Sequence, residues 1–245
     1  MTKFEIYRKL IDIDYYVYFT KAYFAFNAYL KAKYSDYNDK EKIEQVKNNT
    51  TLKTKFTNLL HEGKHFKDDL SSLSTALHNA QIKNQEEFVL FTKVKINQHE
   101  ERELFNDTFN RVRYFVKSLN GEKFTFTVNG YNSQPFKYEE LEIKLNESNL
   151  SSTQKDKVKF EIEQYVASYS VNLQLDIDKL PNIDTLDTQE KNQIIDRLYK
   201  GFIEIIYLLR NSLFHSEVEP NSDVMKVYKF SYFILRKILH EIPST

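Results

Sequence analysis

The sequence has no cysteine, and only four glycines and four prolines are scattered over its 245 residues. The first absence excludes a disulfide scaffold, a thiolate metal site and a cysteine nucleophile, and it fits a reducing compartment. The second excludes collagen-like and linker-like chains, which need glycine and proline in bulk. No run approaches the roughly eighteen apolar residues of a membrane-spanning helix. Near the N-terminus, Asp12 and Asp14 fall where a signal peptide requires its apolar core, so a cytoplasmic location without membrane contact is expected. An excess of one charge is missing too: 35 Lys and Arg balance 35 Asp and Glu. No global field therefore holds a polyanion, and any nucleic-acid contact must be local. What remains is 41% hydrophobic and 29% charged residues in a chain long enough to bury roughly 70% of its unfolded surface. The expectation is a mainly α, globular, single domain spanning 1–245.

Periodicity supplies the elements. Phe4, Leu10, Ile11, Tyr15, Tyr18, Phe19, Ala22, Tyr23, Phe26, Leu30 and Tyr34 recur at three and four spacings, which predicts a long packed helix. An aromatic stripe at that spacing reads as core rather than as a base-stacking surface. Asp39 opens a polar helix to about Asn48, a further one reaches Leu60 before Gly63 stops it, and the pattern resumes from His65 to Ala80. A helix is expected from His99 to Leu119, on the rhythm of Leu104, Phe105, Phe109, Val112, Phe115, Val116 and Leu119. The period then changes to two at Phe124, Phe126 and Val128, a run bounded by Asn120-Gly121 and Asn129-Gly130 in the pattern of a short half-exposed hairpin, so 121–147 is expected to be a small β-hairpin insertion. A helix from Ser151 or Ser152 to about Ser170 precedes an expected polar linker over 171–186, broken by Pro181. Asp187 and Glu190 suggest a capping box for a second long core helix carrying Ile194, Leu198, Phe202, Ile205, Ile206 and Leu209 on one face. Pro220-Asn221-Ser222 ends that region and caps a last helix through Leu239.

Two motifs could carry chemistry. His61-Glu62-Gly63-Lys64-His65 has the spacing that presents two imidazoles and a glutamate base to zinc. That arrangement needs an unbroken helix, whereas Gly63 reads as a helix stop, Lys64 adds a cation, and no third ligand is evident. Ordinary surface histidines are expected there, with no metal and no cofactor. The quieter motif is Arg210-Asn211-Ser212-Leu213-Phe214-His215 at the end of a core helix. Five helical steps place Arg210 and His215 about 140° apart, so they converge only if the helix loosens before His215, which Pro220 favours. Beside it, Lys226, Lys229, Arg236 and Lys237 outnumber Asp223 and Glu241 on the last helix and could line a nucleic-acid groove. Asn27, inside the aromatic first helix, reads as a satisfied buried amide more than as a site residue.

The string YLLRNSLFHS, following a long apolar helix and followed by a Pro-Asn-Ser-capped C-terminal helix, resembles the signature of the HEPN superfamily. The resemblance covers about 187–240 and extends to AYFAFNAYLKAKY in the first helix. It implies a HEPN-like helical bundle and a metal-independent endoribonuclease, working as a homodimer whose two Arg/His motifs share one cleft. By that resemblance Arg210 clamps phosphate oxygens, His215 moves protons and Asn211 orients one of the two; Lys226 and Lys229, from the charge of the last helix, and Asn27, from its place in the first, are candidate RNA contacts. The residue types suit the reaction: the 2′-OH attacks its own phosphate, an imidazole transfers protons near neutral pH, and a planar cation stabilises the phosphorane. The products implied are a 2′,3′-cyclic phosphate and a 5′-OH, with DNA inert for lack of the 2′-OH. A toxin or phage-defence role follows from the same resemblance, with an antitoxin or defence-system protein as a possible partner. Ser216 stands where the family often has Gly, and Glu217 stands where nucleotidyl-modified members carry Tyr, which argues against AMP addition there. The alternative is a non-catalytic HEPN-type scaffold that binds a protein or nucleotide, with Arg210 and His215 structural.

Overall fold

Asp14 caps the first helix by accepting hydrogen bonds from the N–H groups of Tyr16 and Val17, and helix α1 runs Tyr15–Lys33. The computed structural model describes residues 14–96, 101–119, 123–167 and 170–242, so the expected start of this helix at Phe4 lies outside the described residues. The chain is mainly helical with a small antiparallel sheet, and it divides into two compact units.

The first unit joins Met1–Ile96 to Asn172–Thr245. After α1 come α2 (Asp39–Lys47), α3 (Thr50–Glu62) and α4 (Lys64–Ala80). Asn38 and Glu41 form a reciprocal capping box on α2, and Asn49 caps α3 through the Leu52 N–H. A two-residue turn whose Gln85 takes a positive φ of 59° joins strands β1 (Lys83–Asn84) and β2 (Glu87–Phe88); a further short strand, β3, spans Val94–Lys95. The return segment holds α7 (Gln174–Asp178), a 3₁₀ stretch over Leu180–Thr185, α8 (Thr188–Phe214) and α9 (Ser222–His240). Helix α9 packs against both α1 and α4, and α8 packs against α2, α3, α7, β1 and β3.

The return segment corrects the expected polar linker at 171–186. Leu173, Ile177, Leu180 and Ile183 are buried, and the buried Asp176 binds Arg197 of α8 through two hydrogen bonds of 2.8 and 2.7 Å. Leu173 also explains Gly201 in the middle of α8: a Cβ at that position would collide with the Leu173 side chain. Asp187 caps α8 as expected, but Glu190 does not close a capping box; its carboxylate binds Lys179 at 2.6 Å.

The second unit, Asn97–Val171, has its own core. Strands β4 (Glu103–Phe109), β5 (Val112–Leu119) and β6 (Lys123–Val128) form an antiparallel sheet, with β7 (Tyr131–Asn132) and β8 (Phe136–Lys137) pairing along β6. The helix expected from His99 to Leu119 is therefore two strands, and the β region begins well before residue 121. Asn110 and Arg111, with φ of 49° and 67°, form the tight turn between them. Along β5, Tyr114, Val116 and Ser118 face inward while Arg113, Phe115 and Lys117 are more exposed, a period of two. Helices α5 (Leu141–Glu147) and α6 (Ser152–Ala167) follow, with Leu141, Leu145, Val158, Ile162 and Tyr165 completing the core. Ser151 and Gln154 bond reciprocally at the start of α6, the Ser151 N–H to Gln154 Oε1 at 3.2 Å and the Gln154 N–H to Ser151 Oγ at 3.4 Å. A short strand, β9, spans Ser170–Val171.

Candidate functional site

Helix α8 stays regular through Phe214. The His215 N–H still reaches the Asn211 carbonyl at 2.9 Å, and the N–H groups of Ser216 and Glu217 then turn back to the carbonyls of Leu213 and Ser212 at 3.4 and 3.0 Å. This is a Schellman cap with Ser216 in the left-handed position, φ 58°. Pro220 follows the helix without loosening it, contrary to the expectation that His215 turns back toward Arg210. On a regular helix their directions differ by about 140°, and among the described residues no hydrogen bond joins them.

The Arg210 guanidinium lies over the rings of Phe214 and Tyr23, 5.1 and 5.8 Å from their centroids. Its Nη1 donates to Asn211 Oδ1 at 2.9 Å, its Nη2 stands 4.0 Å from Asp39 Oδ2, and its Nε is shielded from solvent without a hydrogen-bond partner. Burial pushes the Tyr23 phenol well above its ordinary range, with the charge of Arg210 opposing only in part. Tyr23 is thus a neutral packing surface for the guanidinium rather than an acid or base. His215 is exposed at the C-cap, and among the described residues its ring has no hydrogen-bond partner.

The β1–β2 hairpin clips onto this helix end. Ser212, fully buried, donates to the Lys83 carbonyl at 2.7 Å, and Glu217 Oε2 accepts from the Gln85 N–H at 2.9 Å. The acidic group next to the motif is therefore tied to a backbone donor of the hairpin. Asn27 is half-buried on α1, one turn beyond Tyr23. It has no side-chain partner among the described residues, so it is not the satisfied buried amide that was expected. Lys226 is exposed and paired with Asp223 at 2.7 Å. Lys229 is half-buried, its ammonium 5.6 to 5.8 Å from the ring centroids of Tyr15, Phe230 and Phe233.

At the other motif, Gly63 is extended (φ −161°) and separates α3 from α4, so His61 and His65 do not share one helix face. His61 Nδ1 lies 3.0 Å from Asp184 Oδ1, whose second oxygen takes Lys67 at 2.9 Å. Among the described residues no group of three or more His, Asp or Glu could hold a metal ion, and no helix is long and apolar enough to cross a membrane.

Sequence reasoning missed Tyr23, Phe24 and Asp39 as neighbours of the motif, and it gave Phe214, within the motif, no part in holding the guanidinium. Phe24 offered a signal: it falls off the buried stripe of α1, and it stacks on Phe214 with centroids 6.2 Å apart and planes 10° from parallel. In comparison with known proteins, no family model, no curated protein and no solved structure matches the chain.

Proposed function

We propose that this protein is a metal-independent endoribonuclease of HEPN type, acting in the cytoplasm as a toxin or defence effector. The supporting observation is the end of α8. A guanidinium with an unpartnered Nε and a hydrogen-bonded Asn211 stands five residues before an exposed imidazole on the same helix end. Because Arg210 and His215 diverge on a regular helix, the proposal takes the working site as composite, with a second copy bringing its own pair. In it, Arg210 holds the phosphate oxygens, His215 moves the proton of the attacking 2′-OH or of the leaving 5′-oxygen, and Asn211 keeps the guanidinium oriented. The 2′-oxygen forms its bond to phosphorus as the bond to the 5′-oxygen breaks, leaving a 2′,3′-cyclic phosphate and a 5′-OH. Lys226 and Lys229 would flank the strand, Asn27 would face it, and a partner protein would hold the activity in check.

The packing of Arg210 on Tyr23 and Phe214, with Asp39 nearby, favours a second reading: a helical scaffold in which Arg210 is structural. One assay separates the two. Mixed RNA is incubated in EDTA with wild type, His215→Ala and Arg210→Ala, product ends are mapped, and folding is followed by circular dichroism. The ribonuclease reading expects cyclic-phosphate ends from wild type, at least a hundredfold loss in both variants with folding intact, and no cleavage of DNA. The scaffold reading expects no cleavage and a lowered melting temperature for Arg210→Ala alone.

A further inference from the structure

Resting on the ribonuclease reading above, we infer that Phe24 and Phe214 form a stacking platform for an unpaired base of single-stranded RNA beside the Arg210/His215 motif. The two rings come from different helices, lie nearly parallel, and stand 58% and 47% exposed, so the pair is neither core nor a lone surface residue. The guanidinium of Arg210 sits over the Phe214 ring, so the more exposed ring of Phe24 is the surface offered to a flat, apolar ligand that stacks, and a nucleobase is such a ligand whatever its sequence.

Charge selects the occupant. Helix α1 carries Lys21, Lys31 and Lys33 and no Asp or Glu, although the chain as a whole is neutral. Lys31, seven residues beyond Phe24, lies about 20° around the helix from it and about 10 Å along it. Lys21 and Lys31 are both exposed. On the α8 side, the guanidinium of Arg210 lies over Phe214 itself. Asp39, 4.0 Å from that guanidinium, is the acid that faces it. An aromatic pair flanked by cations on both helices suits a phosphate-linked base. It does not suit an apolar protein surface, which would leave these charges desolvated. Phe214 also lies between Arg210 and His215 in sequence, so a base stacked there fixes the position of its own phosphate relative to the motif.

Binding is measured with a short single-stranded oligoribonucleotide, 2′-O-methylated to prevent cleavage, and with an abasic strand of equal phosphate number. Phe24→Leu keeps the apolar volume and removes the ring. It is expected to weaken binding of the base-bearing strand by roughly fivefold to a hundredfold and to leave the abasic strand unchanged. Phe24→Trp introduces the only tryptophan of the chain; it is expected to retain affinity and to show fluorescence quenched by the base-bearing strand. The inference is overturned if wild type does not bind the strand, if Phe24→Leu binds as wild type does, if the abasic strand loses equally, or if the tryptophan is not quenched at saturation. A shift of Phe24→Leu from dimer to monomer in sedimentation, with strand affinity unchanged, also overturns it and makes the face a self-association surface. Since the probe cannot be cut, the two readings fail separately. Cleavage of ordinary RNA without Phe24-dependent binding removes the platform alone; Phe24-dependent binding without cleavage removes the nuclease alone.

Discussion

Lys47 shows how single residues hold the first unit together. It is 2% exposed, and its ammonium binds Glu44 at 2.8 Å, Glu204 of α8 at 2.7 Å and the Lys95 carbonyl at 3.2 Å. Removing one partner of a buried ionic cluster costs more than the cluster contributes, because the remaining charges stay desolvated. Lys47→Met, which preserves most of the side-chain volume, is expected to lose about 3 to 5 kcal/mol in urea unfolding. At the same scale the candidate site was half legible. Arg210, Asn211 and His215 stand in one string, and their residue types suit the proposed phosphate chemistry. The ring beneath the guanidinium and the carboxylate beside it come from Tyr23 and Asp39, distant in sequence and joined only by helix packing, so no local pattern could reveal them.

At the scale of elements, legibility followed the strength of local signals. Helices α8 and α9 could be read because Asp187 and Asn221 cap long three/four patterns, and Gly63 was visible as the break between α3 and α4. Strands β4 and β5 were misread because Leu104, Phe105, Phe109, Val112 and Phe115 satisfy a helical spacing as well as an extended one. Only the Asn110-Arg111 turn decides between them, and arginine at a positive φ gives little warning. The linker was misread because four buried aliphatic residues are diluted there by Asp and Asn. The cap of α8 leads to a prediction of its own: Ser216 occupies a left-handed position that costs a residue with a Cβ about 1 kcal/mol. Ser216→Gly is expected to stabilise the protein by up to about 1 kcal/mol in thermal unfolding.

For the whole molecule, ion pairs set the response to acid. Burial raises the carboxyl of Asp196, but hydrogen bonds and charge from Lys200 and Lys53 outweigh it and hold the group below its ordinary range. Burial likewise raises Glu87, and Lys95 with Lys93 brings it below its usual value. The hydrogen bond from Lys67 holds Asp184 low. A carboxyl depressed in the folded state binds its proton more readily when unfolded, so its contribution is complete above the ordinary carboxylate range and is lost as pH falls through the folded values. The melting temperature is expected to be flat from pH 7 to about pH 5 with respect to these groups, and to fall below about pH 4. Differential scanning calorimetry at fixed ionic strength checks it.

The first unit is also discontinuous in the chain: α1 packs against α9, with the whole second unit encoded between them. On the ribosome this imposes an order. At about 5 to 20 residues per second, roughly 10 to 40 seconds separate the emergence of α1 from that of its partner helix. Through that interval Tyr16 and Phe19 of the nascent chain lack Tyr228 of α9, the ring they pack against in the finished protein. Residues 97–171 can close their own core meanwhile, so the newborn protein presents a finished β-rich unit attached to an apolar helix still waiting for its mate, the kind of surface that chaperones bind.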